Sequence, residues 1–208
     1  MEREKIFFLV SAPSGSGKTT LLKEVIKEVP KLTFSVSYTT RPPRPEEKNG
    51  LDYHFISETE FIHREKQNQF VEWTNVHGNL YGTSRDIIEN KQYKYNDIVF
   101  EVDVEGANKL KKIYPDSVLI FILPPSLEIL KERLMGRKTD SLAGIEIRYK
   151  RALQEIAHIE EYNYIIINDD INVAKVTIVS IIIAERQKGK RVIKEVKNIF
   201  DIKNDEIS

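Results

Sequence analysis

The sequence of 208 residues contains no cysteine. That excludes disulfide staples, thiolate nucleophiles and cysteine-built zinc sites, and it suits a reducing compartment. Net charge is missing too, because 32 Lys and Arg balance 32 Asp and Glu. Bulk electrostatic binding to nucleic acid or to an anionic membrane needs a basic excess, so neither partner is expected. A polyanionic small ligand stays open, since a neutral chain can gather its arginines in one cleft. Long apolar runs are absent as well. The opening MEREKIFFLVSA offers only Ile6 to Val10 after two acids, whereas a secretory signal needs a longer run and a basic start. The run around Ile178 to Ala184 falls well short of the roughly 20 residues that span a bilayer. The expected location is cytoplasmic. Tryptophan occurs once, as Trp73, and there is no internal repeat or low-complexity segment.

What is present suits a water-soluble domain with a real core. Hydrophobic residues make up 40%, charged residues 31%, and mean hydropathy is −0.39. The length fits one domain, or one domain carrying a smaller inserted unit. Ile6 to Val10 reads as a buried strand, followed by a Gly/Ser turn and a helix over Lys18 to Val29 that Pro30 stops. Leu32 to Val36 alternates like a strand, and Thr39 to Gly50 is a loop rich in Arg and Pro. Asp52 to Tyr81 reads as a separate small unit. Tyr53 to Ile56 is a strand, and Ser57 with Glu60 forms a capping box that opens a helix. Phe70 to Val76 is a strand turning at His77-Gly78-Asn79 into Leu80 and Tyr81, and Trp73 is expected in this unit's core. Ser84 caps a helix through Ile87 and Ile88.

The α/β rhythm then resumes. Strands are expected at Ile98 to Val102, Val118 to Leu123 and Tyr164 to Ile167. Helices are expected at Glu105 to Ile113, Ser126 to Met135, Ile145 to Tyr162 and Asn172 to Lys188, the last stopped by Gly189. The segment Gly136 to Gly144 is a polar loop. Strands alternating with helices imply a parallel sheet covered on both faces.

The central signal is SAPSGSGKTT, placed between a buried strand and a helix. It fits G-x-x-x-x-G-K-[ST] through Gly15, Gly17, Lys18 and Thr19. Glycines let the loop curl so that backbone N–H groups face phosphate oxygens, and the helix N-terminus adds partial positive charge. Lys18 reaches the β- and γ-phosphates, and the Thr19 hydroxyl can ligate Mg²⁺. Ala12 replaces the first glycine of the strict pattern, which is tolerable if its φ is negative. In FEVDVEG, the acids Glu101, Asp103 and Glu105 lie at a strand's carboxyl end, where they can hold Mg²⁺ through water or orient a substrate.

The segment SVSYTTRPPRPEEKNGLDYHF, together with FVEWTNVHGNLYGTS, FEVDVEGA, ILPPS and INDD in that order, resembles the guanylate kinase family over roughly residues 5 to 186. The resemblance implies an α/β phosphate-loop kinase core (5–36 and 84–186), a parallel sheet flanked by helices. It also implies an inserted GMP-binding unit at about 37–83 and a lid at about 137–144. The implied reaction is phosphoryl transfer from MgATP to GMP, and to dGMP as well, a step in purine nucleotide recycling. By the same resemblance, Ala12, Pro13, Ser14, Gly15, Ser16, Gly17, Lys18, Thr19 and Thr20 cradle ATP, with Asn168 near the adenine. Arg41 and Arg44, with the hydroxyls of Tyr53 and Tyr81, grip the GMP phosphate. Glu72 faces the guanine edge with Ser37 and Thr83 around it, and Glu101 and Asp103 lie near the acceptor. Arg133, Arg137 and Arg148 fold over the transferring phosphate. Glu105 departs from a common Gln and Leu80 from a common aromatic, but neither removes a group the reaction needs. The acceptor is a phosphate oxygen, so no general base is assigned.

Two other readings compete. Guanylate-kinase-like domains also serve as catalytically silent interaction modules, against which the intact phosphate loop argues. A kinase for another nucleoside monophosphate is the second. His54, His63, His77 and His158 show no metal-ligand spacing. The tail, residues 187–208, places Val192, Val196, Ile199 and Phe200 on one helical face among lysines. It reads as a helix docked on its own domain, with a monomer or a homodimer both open.

Overall fold

The computed structural model describes residues 4–76, 78–136 and 142–201. Five strands, β1 (Phe7–Ser11), β2 (Leu32–Ser35), β7 (Asp97–Glu101), β8 (Val118–Leu123) and β9 (Tyr164–Ile167), form one sheet in the order β2-β7-β1-β8-β9. Every pair in it is parallel, and Leu9 lies between Phe100 and Leu119. A covered parallel sheet buries both faces of its strands, which is why β1 and β8 are apolar without alternation. Phe8 and Val10 meet Leu21, Leu22 and Val25 of α1 (Lys18–Glu28) and Ala174, Ile178 and Ile182 of α7 (Ile171–Arg186). Leu9 faces the other way, toward Ala107 and Leu110 of α4 (Val104–Ile113) and toward Phe121 and Tyr162. A third cluster joins α5 (Leu127–Met135) to α6 (Leu142–Ile156) through Leu130, Leu134, Ile145 and Ala152.

A second sheet holds β3 (Tyr38–Thr39), β4 (His54–Phe55), β5 (Phe70–Val76) and β6 (Asn79–Ser84) in the order β4-β3-β6-β5. The helix α2 (Glu58–Lys66) opens as its capping residues dictate, with the Ser57 hydroxyl accepting the Glu60 N–H. Phe61 of α2 stacks on Phe70. The hairpin β5–β6 pairs Val76 with Asn79, and Gly78 supplies the positive φ of 78° that its turn requires. His77 lies outside the described residues.

Four expectations change in detail. Trp73 is 40% exposed, because Glu72 and Thr74 take the inner face of β5 and alternation turns residue 73 outward. Its ring is edged by Phe61 and capped by the Lys109 ammonium. Ser84 ends β6, and its hydroxyl accepts the Asp86 N–H ahead of the one-turn helix α3 (Asp86–Glu89). The helix expected to Tyr162 ends at Ile156 and gives way to a 3₁₀ turn at Ile159–Glu161. Asn163 then exchanges two hydrogen bonds with the Leu119 backbone, which starts β9. Finally, Gly189 does not stop α7. Gln187 caps it, and Gly189 opens α8 (Gly189–Ile199).

One buried ion pair holds the sheet edge. Asp97 is fully buried, accepts the Ile6 N–H and meets Arg186 Nε at 2.8 Å. Arg186 also donates to the Pro30 and Lys31 carbonyls, so it binds the end of α7 to the turn before β2. Among the described residues, no helix is long and apolar enough to cross a membrane.

Candidate active site

Parallel strands leave their carboxyl ends open, and ligands of such sheets bind there. A cavity of about 610 Å³ lies at those ends of β1 and β7 and is closed on its far side by the second sheet. Its floor is the loop between β1 and α1. Gly15 and Gly17 have φ of +96° and +84°, so each takes a conformation costly for any other residue. Ala12 is not among the positive-φ residues, which removes the objection to alanine there. Ser16 closes the curl through both its N–H and its hydroxyl to the Pro13 carbonyl.

The Lys18 ammonium donates to the Val102 carbonyl at 3.2 Å and lies 3.9 Å from Glu101 Oε1. The Thr19 hydroxyl donates to that same carboxylate at 2.7 Å. Pro13, Ser14 and Thr20 complete the loop's face toward the cavity. Asn168, expected at the adenine, stands behind the loop, where its amide donates to the Ser16 carbonyl at 2.7 Å. A Cβ on Gly17 would fall 2.7 Å from that amide nitrogen.

The second sheet brings an arginine pair to the opposite wall. Arg41 donates through Nε to the Tyr81 hydroxyl at 3.2 Å and through Nη2 to Glu47 at 2.8 Å. Its guanidinium also lies over the Tyr53 ring. The other Glu47 oxygen accepts the Arg44 N–H, and Arg44 Nη1 is 3.6 Å from Glu47. Burial works against the Glu47 charge, but the two arginines outweigh it and hold the carboxyl below its usual range. Burial, with Glu101 adding, pushes the Tyr53 phenol up, so it stays a neutral hydroxyl. Lys23 of α1 pairs with Asp52 and ties the second sheet's loop to the core.

Deeper in the cavity stands Glu72. One oxygen accepts the Thr83 hydroxyl at 2.6 Å, and the other is buried with no hydrogen-bond partner among the described residues. Burial raises this carboxyl to about 7, against the pull of Thr83 and with Asp103 adding. Ser37 is buried beside the same cavity. Asp103 caps α4 through Oδ1, which accepts the Gly106 N–H at 2.8 Å, and its Oδ2 accepts from Arg151 at 3.1 Å. A Cβ on Gly106 would stand 3.1 Å from Glu72 Oε2 and 3.2 Å from Asp103 Oδ1, so any other residue there would crowd both carboxylates.

The cavity therefore gathers the phosphate loop, Glu101, Asp103, Ser37, Arg41, Arg44, Tyr53, Glu72, Tyr81 and Arg148 as expected, with Thr83 directly behind Glu72. Arg133 does not line it. Its Cβ packs behind Gly15 on α5. Arg137 and most of the expected lid lie outside the described residues. The sequence reading missed Glu47, Arg151 and Glu155, all of which line the cavity. Glu47 left a local trace, an acid three positions after Arg44. Arg151 and Glu155 showed only the four-residue spacing of an ordinary helix-surface pair. Among the described residues no cluster of three His, Cys, Asp or Glu is built to hold a metal. The Thr19 hydroxyl, expected to ligate Mg²⁺, lies beside the Glu101 carboxylate.

A sequence model of the family described as guanylate kinase matches residues 4–185. The guanylate kinase of Geobacter metallireducens is 46% identical over 97% of this chain and all of its own length. That of Thermotoga maritima is 42% identical over 88% of this chain and 89% of its own. A crystal structure of guanylate kinase from Anaplasma phagocytophilum superposes with a TM-score of 0.80 at 31% identity, covering 98% of this chain and 99% of the other.

Proposed function

The chain belongs to the guanylate kinase family, and from that premise we propose how its residues divide the work of moving the γ-phosphoryl group of ATP onto GMP. The chain is a nucleoside monophosphate kinase, and phosphoryl transfer asks mainly for alignment and charge neutralisation. The Gly15 to Thr20 loop holds the ATP phosphates on backbone N–H groups, and Lys18 leaves Val102 and Glu101 for the β/γ oxygens. Arg41, Arg44, Tyr53 and Tyr81 hold the GMP phosphate facing it. Arg148, with Arg137 from the lid, neutralises charge on the transferring group, while Asn168 acts through the loop it supports.

Mg²⁺ fits this site. The Thr19 hydroxyl and the Glu101 carboxylate are adjacent hard oxygens at the loop's mouth, the chemistry that Mg²⁺ prefers. Thr19 would hold the ion, and the charge of Glu101 favours a cation there. When bound, the ion would supply positive charge to offset that of the phosphate oxygens.

The observation that carries the reading is the half-satisfied Glu72 carboxylate. Guanine offers two adjacent donors, N1–H and the N2 amino group, to an acceptor-only group, and a hydroxyl such as Ser37 can serve O6. Adenine has a lone pair at N1 and no N2 donor, which leaves a buried charge unpaired. The 2′-hydroxyl plays no part in this pairing, so dGMP is accepted as well. The test is ADP formation with MgATP against GMP, dGMP, AMP, CMP and UMP. GMP should exceed AMP by on the order of 10³ in kcat/KM, and comparable turnover of the two would overturn the assignment.

A further inference from the structure

Arg151 is the cation at the base-reading corner. It lies on α6 three residues after Arg148, and both line the cavity. Nε donates to Glu155 and Nη2 donates to Asp103, each at 3.1 Å. Asp103 and Glu72 both border Gly106, 3.2 and 3.1 Å from where a Cβ would stand. Asp103 thus acts on two other carboxylates, Glu72 and Glu155, and all three are largely buried. The groups facing Glu72 are the Thr83 hydroxyl from β6, Asp103 ahead of α4, and Glu105 and Lys109 from α4. Lys109 is engaged by Glu105 at 2.7 Å and by the Trp73 carbonyl. Glu155 is answered by Arg151 and, more distantly, by Lys18. Arg151 is therefore the cation in direct contact with Asp103.

We propose that Arg151 is a positioning residue for base recognition: by fixing and neutralising Asp103, it lets Glu72 meet guanine as a carboxylate. The proposal rests on the reading of Glu72 as the guanine-binding group. Without Arg151, two like charges would face each other across Gly106, and like charges at such range favour the protonated acid. A protonated Glu72 carries a proton where the guanine N1–H must fit. Arg151 also connects α6, which carries Arg148, to the floor of the acceptor site, so donor-side and base-side groups share one rigid helix.

The experiment measures kcat/KM for GMP against pH, from about 5.5 to 8.5 at saturating MgATP, for the full chain and its Arg151→Met, Arg151→Lys and Asp103→Asn variants. The second ionisation of the GMP phosphate, near 6, is common to all of them, so differences report the protein. Arg151→Met should move the acid limb up by about one pH unit, which is about tenfold in kcat/KM at low pH, with KM for ATP little changed. Arg151→Lys should restore part of the shift. Asp103→Asn alone should move the limb down, and Arg151→Met added to it should shift nothing further. This second pair of variants keeps the proposal testable if Arg151→Met does not fold. An unmoved limb in Arg151→Met, a shift that persists in the Asp103→Asn background, or a loss confined to kcat would each overturn the proposal. Glu72→Gln separates the two levels. If its acid limb is the same as the wild type's, the guanine reading fails and takes the proposal with it. If it leaves only the limb set by the GMP phosphate while Arg151→Met does not move the wild-type limb, only the role of Arg151 falls.

Discussion

Replacing Glu72 by Gln should make the nucleotide-free protein more stable in mild alkali while crippling its hold on guanine. The folded carboxyl lies at about 7, against an ordinary 4.5, with burial as the main cause. The fold therefore favours the protonated acid. That contribution is complete below about pH 4.5 and is lost as the pH climbs through 7. At pH 8 the buried charge costs about 3 kcal/mol relative to a group that titrates normally. Glutamine keeps an acceptor for the Thr83 hydroxyl and replaces the orphaned oxygen with a neutral amide, itself unpaired at a cost of about 1–2 kcal/mol. The net gain is about 1–2 kcal/mol at pH 8 and near zero at pH 5. For a chain of this size that is about 3–6 °C in Tm at the higher pH. Thermal unfolding without nucleotide at both values, for wild type and Glu72→Gln, measures it. In the same assay GMP should raise the wild-type Tm far more than the variant's. A variant-minus-wild-type difference that is equal at pH 5 and pH 8 would refute the argument, because only a titrating Glu72 makes it depend on pH.

Lys18→Ala should leave a folded protein with kcat reduced roughly 10²-fold or more, and near-normal turnover would remove Lys18 from the transfer. Glu47→Ala releases Arg41 and Arg44 from their shared carboxylate, so KM for GMP should rise about tenfold while KM for ATP holds. Equal changes in both KM values would deny the loop its acceptor-side role. Gly17→Ala combines a positive φ with a 2.7 Å approach to the Asn168 amide, and it should weaken ATP binding severely and lower stability by about 1–3 kcal/mol. An ATP affinity measured calorimetrically within twofold of wild type would contradict that.

The core strands were legible because their causes are local. The runs Val118–Leu123 and Tyr164–Ile167 are bounded by Pro, Ser, Asn and Asp, and the structure begins and ends both strands at those residues. Capping was local too, as Ser57 and Ser126 show. What escaped depends on contacts between distant segments. Trp73 looked like core because tryptophan usually is, yet the requirement that Glu72 point inward decided its face. Asn163 ended the helical stretch through Leu119, 44 positions away in sequence. Gly189 carried a stop signal, but the chain had already left α7 at Arg186. In the site, residue types named by motif converged, whereas Arg151 and Glu155 acquired meaning only when α6 was laid against Asp103.

Paired charges of this kind also explain how a chain with no net charge can build a site for two phosphorylated nucleotides. On the proposed reading, the cations that would face phosphate already meet carboxylates in the same cavity: Lys18 with Glu101, and Arg41 and Arg44 with Glu47. An arginine held by a carboxylate loses little further freedom when it binds phosphate, so the ordering cost falls largely on folding. The paired acids also restrain repulsion among the clustered cations. On the proposed division of work, exchange of partner would be the binding step. Phosphate oxygens would compete with Glu47 for the two guanidinium groups and with Glu101 for the Lys18 ammonium, and a displaced Glu101 would remain beside Thr19, where a divalent cation arriving with ATP would offset its charge. Glu72 differs in kind. Among the described residues, neither Lys nor Arg pairs with it directly, and its buried oxygen has no hydrogen-bond partner. Its proposed partner is a neutral base edge, for which a standing ion pair would compete. On the proposed reading, leaving Glu72 without a direct ion pair, with Arg151 holding the neighbouring charge in check, would make the base-reading position a costly buried group that a correctly placed pair of donors relieves.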